Sequence, residues 1–114
     1  MVAREDVDRL AEASDAVLVP APGTVPGNRE ELVAELVEAA HERGALVVAA
    51  IGSSQEGADP ETVRALALAA KRAGADVLHL GDMGAFGMPE PMNVLTASLA
   101  IRGRRHTYRR MAVR

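Results

Sequence analysis

The apolar positions change period several times along the chain, and each change marks an element. Val2, Val7, Leu10 and Ala11 recur at helical spacing among charges, which predicts an amphipathic helix over 2–13. Ala16-Val17-Leu18-Val19 then forms a short continuous apolar run. A loop stiffened by Pro20, Pro22 and Pro26, with Gly23 and Gly27, follows it. Asn28, with Glu31 three positions later, reads as an N-cap and its capping-box partner. Leu32, Val33, Leu36, Val37 and Ala40 make one face of the helix that follows, and Gly44 stands where a C′ glycine belongs. Ala45–Ile51 is a second apolar run, closed by Gly52. Asp59 caps a third helix with Pro60 at its first position. Val63, Leu66, Ala67 and Ala70 are its core face, and Gly74 ends it. Ala75–Leu80 is a third run, closed by Gly81-Asp82. A Gly- and Pro-rich loop leads to Pro91, where a last helix begins, with Val94, Leu95, Ser98 and Ile101 on one side and a break or kink expected at Gly103.

The order is a helix followed by three consecutive βα units. Ala39-Ala40-His41-Glu42-Arg43-Gly44-Ala45 is echoed thirty positions later by Ala69-Ala70-Lys71-Arg72-Ala73-Gly74-Ala75, the length of one βα unit. Continuously apolar strands and right-handed crossovers predict a parallel sheet. The expected fold is therefore a single α/β domain over 1–114: three parallel βα units preceded by a helix, a partial, half TIM-barrel-like arrangement. All strand C-termini then emerge at one edge, the edge at which barrels and open α/β sheets bind ligands. Three strands cannot close a barrel, so the sheet either stays open or completes itself with a second copy.

Composition narrows the functions. The chain has 114 residues, 48% of them hydrophobic, enough for one core. Phe86 and Tyr108 are the only aromatic residues, which argues against a module that stacks bases or sugars on rings. The absence of cysteine excludes disulfides, thiolate metal sites and cysteine nucleophiles. The net charge of −3 is unevenly spread: no acid follows Glu90, whereas Arg102, Arg104, Arg105, Arg109, Arg110 and Arg114 crowd the end. With an acidic body and one nearby aromatic, this cluster reads as a solvated or self-association surface rather than a nucleic-acid site. The charged N-terminus is not a signal peptide, and no apolar run reaches the roughly 20 residues of a membrane span. A cytoplasmic protein is expected.

Gly74-Ala75-Asp76-Val77-Leu78-His79-Leu80-Gly81-Asp82 and the ending Ile101-Arg102-Gly103-Arg104-Arg105-His106-Thr107-Tyr108-Arg109-Arg110-Met111 resemble the last part of a family of longer, uncharacterised bacterial TIM-barrel proteins. The resemblance covers most of the chain and implies a barrel-type fold without naming an activity. Gly81-Asp82, Gly84, Gly87 and Pro89 also approximate the loop after a strand in metal-dependent acyl lyases and synthases of the barrel class. The His-x-His metal pair of those enzymes has no counterpart here, so that similarity implies loop architecture alone.

Two loops at the expected ligand edge carry the candidate site. Gly52-Ser53-Ser54 offers backbone amides and two hydroxyls to a phosphate or carboxylate, against the plainer reading of a polar turn before the Asp59 cap. In the Gly81–Pro89 loop, Gly81, Gly84 and Gly87 permit close backbone approach. Asp82 is the candidate acid, base or cation ligand, against a role in accepting loop amides. His79, on the face of Val77, is the second candidate acid–base group, weighed against a core histidine with one hydrogen bond. Arg102 is expected to reach a buried carboxylate. No metal-ligand triad or nucleophile elbow is present, and Lys71, the only lysine, stands at the wrong end of the next strand for a Schiff base. No cofactor can be named. The function expected is binding of a small anionic or phosphorylated metabolite at the strand C-terminal loops, as part of a lyase- or hydrolase-type barrel enzyme. The alternative is a truncated or engineered half-barrel that self-associates without activity of its own.

Overall fold

The computed structural model describes residues 3–81 and 89–113. The elements run α1 (Arg4–Glu12), β1 (Ala16–Pro20), α2 (Glu30–Glu42), β2 (Leu46–Ile51), a 3-10 turn (Gln55–Gly57), α3 (Pro60–Arg72), β3 (Val77–Leu80) and α4 (Pro91–Ala112). The strands form one parallel sheet in the order β1-β2-β3, with Val17 beside Val47 and Ala49 beside Leu78. The sheet is open, and the predicted α/β architecture of parallel βα units holds.

The repeat seen in the sequence builds the same helix ending twice. The Gly44 amide donates to His41 O and Ala45 to Ala40 O, both at 3.0 Å; thirty positions on, Gly74 donates to Lys71 O and Ala75 to Ala70 O. Both glycines are left-handed (φ 81° and 97°), so each helix closes in a Schellman turn and hands the chain directly to the next strand. Asp59 caps α3 as expected, its carboxylate accepting from the Thr62 amide at 2.8 Å.

One face of the sheet is packed. Val17, Val19 and Val47 meet Val7, Val33, Leu36 and Val37 from α1 and α2, and Ala49 and Ile51 meet Leu66 and Ala70 of α3. The opposite face is uncovered among the described residues: Leu18, Leu46 and Val77 are 59%, 53% and 47% exposed. The strands thus alternate in burial although each is a continuous apolar run in the sequence.

Two local expectations are corrected. Asn28 does not cap α2; Arg29 holds that position without a side-chain cap, and Glu31 has no capping partner there. The Asn28 amide instead donates to Pro20 O and Ala21 O, both at 3.0 Å, and so ties the loop back to the end of β1. In α4 the buried positions are Asn93, Ala97 and Thr107, while Val94 is exposed. The small Ala97 lets α4 close onto Val63 and Ala67 of α3. The kink at Gly103 is confirmed (φ 77°, ψ 175°). Ser98 Oγ and Thr107 Oγ1 lie 2.9 Å apart across it, where a straight helix would separate them by roughly 13 Å.

Asp76 joins three elements at the start of β3. Its amide donates to Val47 O at 3.0 Å, while its Oδ2 accepts from the Val47 amide at 2.8 Å and lies 2.7 Å from His41 Nε2. The His41 bond first, and the Val47 amide second, hold its carboxyl below the ordinary aspartate range.

Candidate ligand site at the C-terminal edge of the sheet

β2 leads into Gly52 and then two serines in left-handed backbone, Ser53 at φ 55° and Ser54 at φ 70°. A non-glycine residue there costs about 1–2 kcal/mol, so the turn is held against its own preference. Both serines are exposed, and their amides donate to no backbone acceptor among the described residues. The next amide, Gln55, closes back on Gly52 O at 3.0 Å and starts the 3-10 turn.

That turn places Glu56 inward. Glu56 is only 8% exposed, and no group among the described residues donates to its Oε2. Its main chain is pinned from α4: the Asn93 side-chain amide donates at 2.9 Å to Glu56 O and at 2.9 Å to Ala58 O. Gly81 borders the carboxyl group. Its amide extends the ladder to Ile51 O at 3.0 Å, and a Cβ on it would fall 3.3 Å from Glu56 Cδ. Gly81 thus lets the end of β3 pack tightly against the carboxyl group, where a Cβ would crowd it.

The other expected residues fall in different places. His79 is exposed on the uncovered face, level with Ala50 of β2 and two positions before Gly81. Among the described residues it has no core hydrogen bond, so the plain alternative of a satisfied core histidine does not apply. Asp82, Gly84 and Gly87 lie outside the described residues. Arg102 is remote from this edge, because α4 runs away from it for about 13 Å between Asn93 and Arg102. It borders a groove of about 800 Å³ along the free edge of β3, floored by Leu78, Leu80 and Val94. Asp76 lies on that groove, but the carboxylate partner expected for Arg102 is not formed among the described ion pairs. Lys71, on the same groove, donates to Ile101 O at 2.8 Å.

A family model for the domain of unknown function DUF7916 matches residues 1–114. The chain belongs to that family. No curated protein and no solved structure matches it. In this DUF7916 chain the structure brings Gly52, Ser53, Ser54 and Gly81 to one edge, as the sequence led us to expect, and adds Glu56 and Asn93, which sequence reasoning missed. One signal for Glu56 was present: it is an acid between a strand end and the next helix cap, where βα folds place ligand groups. Nothing in the sequence marked Asn93. Among the described residues no three His, Asp or Glu side chains group as a metal site, and no helix is long and apolar enough to cross a membrane.

Proposed function

We propose that the domain binds a small anionic or phosphorylated metabolite over the C-terminal ends of β2 and β3, as part of a TIM-barrel-type enzyme of the lyase or hydrolase kind. One observation carries this reading: exposed hydroxyls of Ser53 and Ser54, and amides of theirs that donate to no backbone acceptor among the described residues, stand at the same sheet edge as the closely packed Gly81. Backbone amides and hydroxyls are suitable donors to phosphate oxygens. Asp82, the next residue, is assigned acid–base work or cation binding, with His79 as the second acid–base group. Isothermal calorimetry with glycerol 3-phosphate tests the reading. Saturable binding is expected, weakened about a hundredfold in the double variant Ser53→Ala, Ser54→Ala through loss of two hydrogen bonds to a charged group. Binding unaltered by that variant would remove the Ser53 and Ser54 hydroxyls from the site.

A second reading rests on a separate observation, the exposed apolar face of Leu18, Leu46 and Val77. Such a face favours self-association. Light scattering on a sizing column is expected to give the mass of two or more copies, and Leu18→Lys to return it to one. A single-copy mass at every concentration would rule this reading out.

A further inference from the structure

We infer that copies of the chain join end to end: the α1 and β1 side of one copy seats on the β3 and α4 side of the next, with Leu10 of the first in the groove along β3 of the second. The inference rests on the self-association reading above and adds the surfaces that meet.

The sheet order leaves each outer strand with one unpaired edge, β1 at one end and β3 at the other. Free strand edges are templates for pairing with another chain. The helices beside the two edges carry opposite charge. α4, packed beside β3, holds Arg102, Arg104, Arg105, Arg109 and Arg110 and no acid. None of these arginines forms an ion pair among the described residues. α1, packed on β1, holds Glu5, Asp6, Asp8 and Glu12 against Arg4 and Arg9.

The two ends also match in shape. Arg4, Asp8 and Glu12 lie on the side of α1 that forms ion pairs with α2, through Glu42 and Arg43. The helical period puts Asp6 and Leu10 on the opposite side, toward the free edge of β1. Leu10 is 55% exposed there. At the other end, the groove of about 800 Å³ along β3 is lined by Leu78, Leu80 and Ile101, with Arg102 and Arg110 beside them. Leu78 and Leu80 belong to the helix-covered face of the sheet, and α1 lies on that same face of β1. Setting β1 of one copy beside β3 of the next, parallel as the three strands already are, therefore brings α1 over the groove. Leu10 then fills apolar space and Asp6 meets the arginines. Charge fixes which ends join, because two acidic or two basic ends repel. The uncovered faces then run on from copy to copy, with Leu18 in the strand next to Val77, so the apolar face and the end-to-end joint belong to one assembly.

Mixing two variants tests this, with mass read by light scattering on a sizing column. The first is Leu10→Arg, which sets a cation against Arg102 and Arg110. The second is the double variant Arg102→Glu, Arg110→Glu, which sets carboxylates against Asp6. All three positions are exposed, so the fold is expected to tolerate both variants. Each alone is expected to run at the mass of one copy, because like charges face each other across every joint. Mixed in equal amounts, they are expected to regain the mass of two copies, since the unaltered α1 of the second variant then meets the unaltered α4 of the first. A variant that merely failed to fold would not be rescued in this way. Assembly kept by either variant would overturn the end-to-end joint and leave the apolar-face reading standing. Assembly lost in both and not regained on mixing would overturn the joint as well. A single-copy mass for the unaltered chain at every concentration would defeat both readings.

Discussion

Asn93→Ala is expected to lower the free energy of unfolding by about 3 kcal/mol. The side chain donates two hydrogen bonds, to Glu56 O and Ala58 O, each at 2.9 Å. Leaving a buried carbonyl without its donor costs about 1–3 kcal/mol. Glu56 O is the deeper of the two; Ala58 O is part-buried and partly rescued by water, which keeps the total below the sum of two full penalties. Denaturant melts followed by circular dichroism should show a lower midpoint at unchanged slope, the mark of a stability change within an intact fold. The variant should also free the 3-10 turn, so that amide exchange at 55–58 rises well above the global rate. A loss under 1 kcal/mol would mean that the turn is held by its own 3-10 bonds and that Asn93 is a spectator.

The consequence of Asn93 for the site explains why the sequence could be read for the fold and only partly for the function. Strand and helix order depends on local patterns. The Ala-Ala-x-x-x-Gly-Ala repeat encodes a Schellman turn within seven residues, and Asp59-Pro60 encodes a helix start within two. Those signals survive without tertiary context. Asn28 looked like the same kind of signal and was not, because carbonyls eight and seven positions earlier compete for its amide and win. The α4 face was misread for a related reason: Val94 and Leu95 are the more apolar choices, but contact with α3 favours the small Ala97 and the capping Asn93. Glu56 and Asn93 are 37 positions apart, a distance at which no periodicity links an acid in a polar turn to an amide in the first turn of a later helix. The Ser53–Ser54 turn was found because strand C-termini in parallel sheets share an edge; the depth of the acid beside it is a property of packing alone.

Asp76→Ala is expected to cost about 2 kcal/mol at pH 7, and the charge-dependent part of that cost should disappear in acid. At neutral pH the carboxylate accepts from the Val47 amide and meets His41, so the variant removes a charge-assisted bond and leaves a strand amide without its acceptor. The side chain is 32% exposed and His41 41%, so the ion-pair part is screened and the estimate sits toward the low end for such bonds. The carboxyl is held below its ordinary value of 3.8, by His41 first and the Val47 amide second. A depressed acid binds its proton less readily folded than unfolded, so its stabilisation is complete above about 3.8 and drains away as the pH falls through the folded value. The gap between the unfolding curves of the two proteins should therefore be widest at pH 7 and narrow as the pH falls below 3.8. A gap independent of pH would mean that the carboxylate's charge contributes nothing. His41→Ala should raise the Asp76 titration midpoint, read from its carboxyl carbon by NMR, since it deletes the leading cause of the depression. That Asp76 belongs to Gly74-Ala75-Asp76, part of the segment that suggested a barrel family, is itself informative. Here the aspartate serves as a strand starter, extending the β2–β3 ladder by one side-chain bond while tying in the end of α2, so this part of the motif is accounted for by the fold.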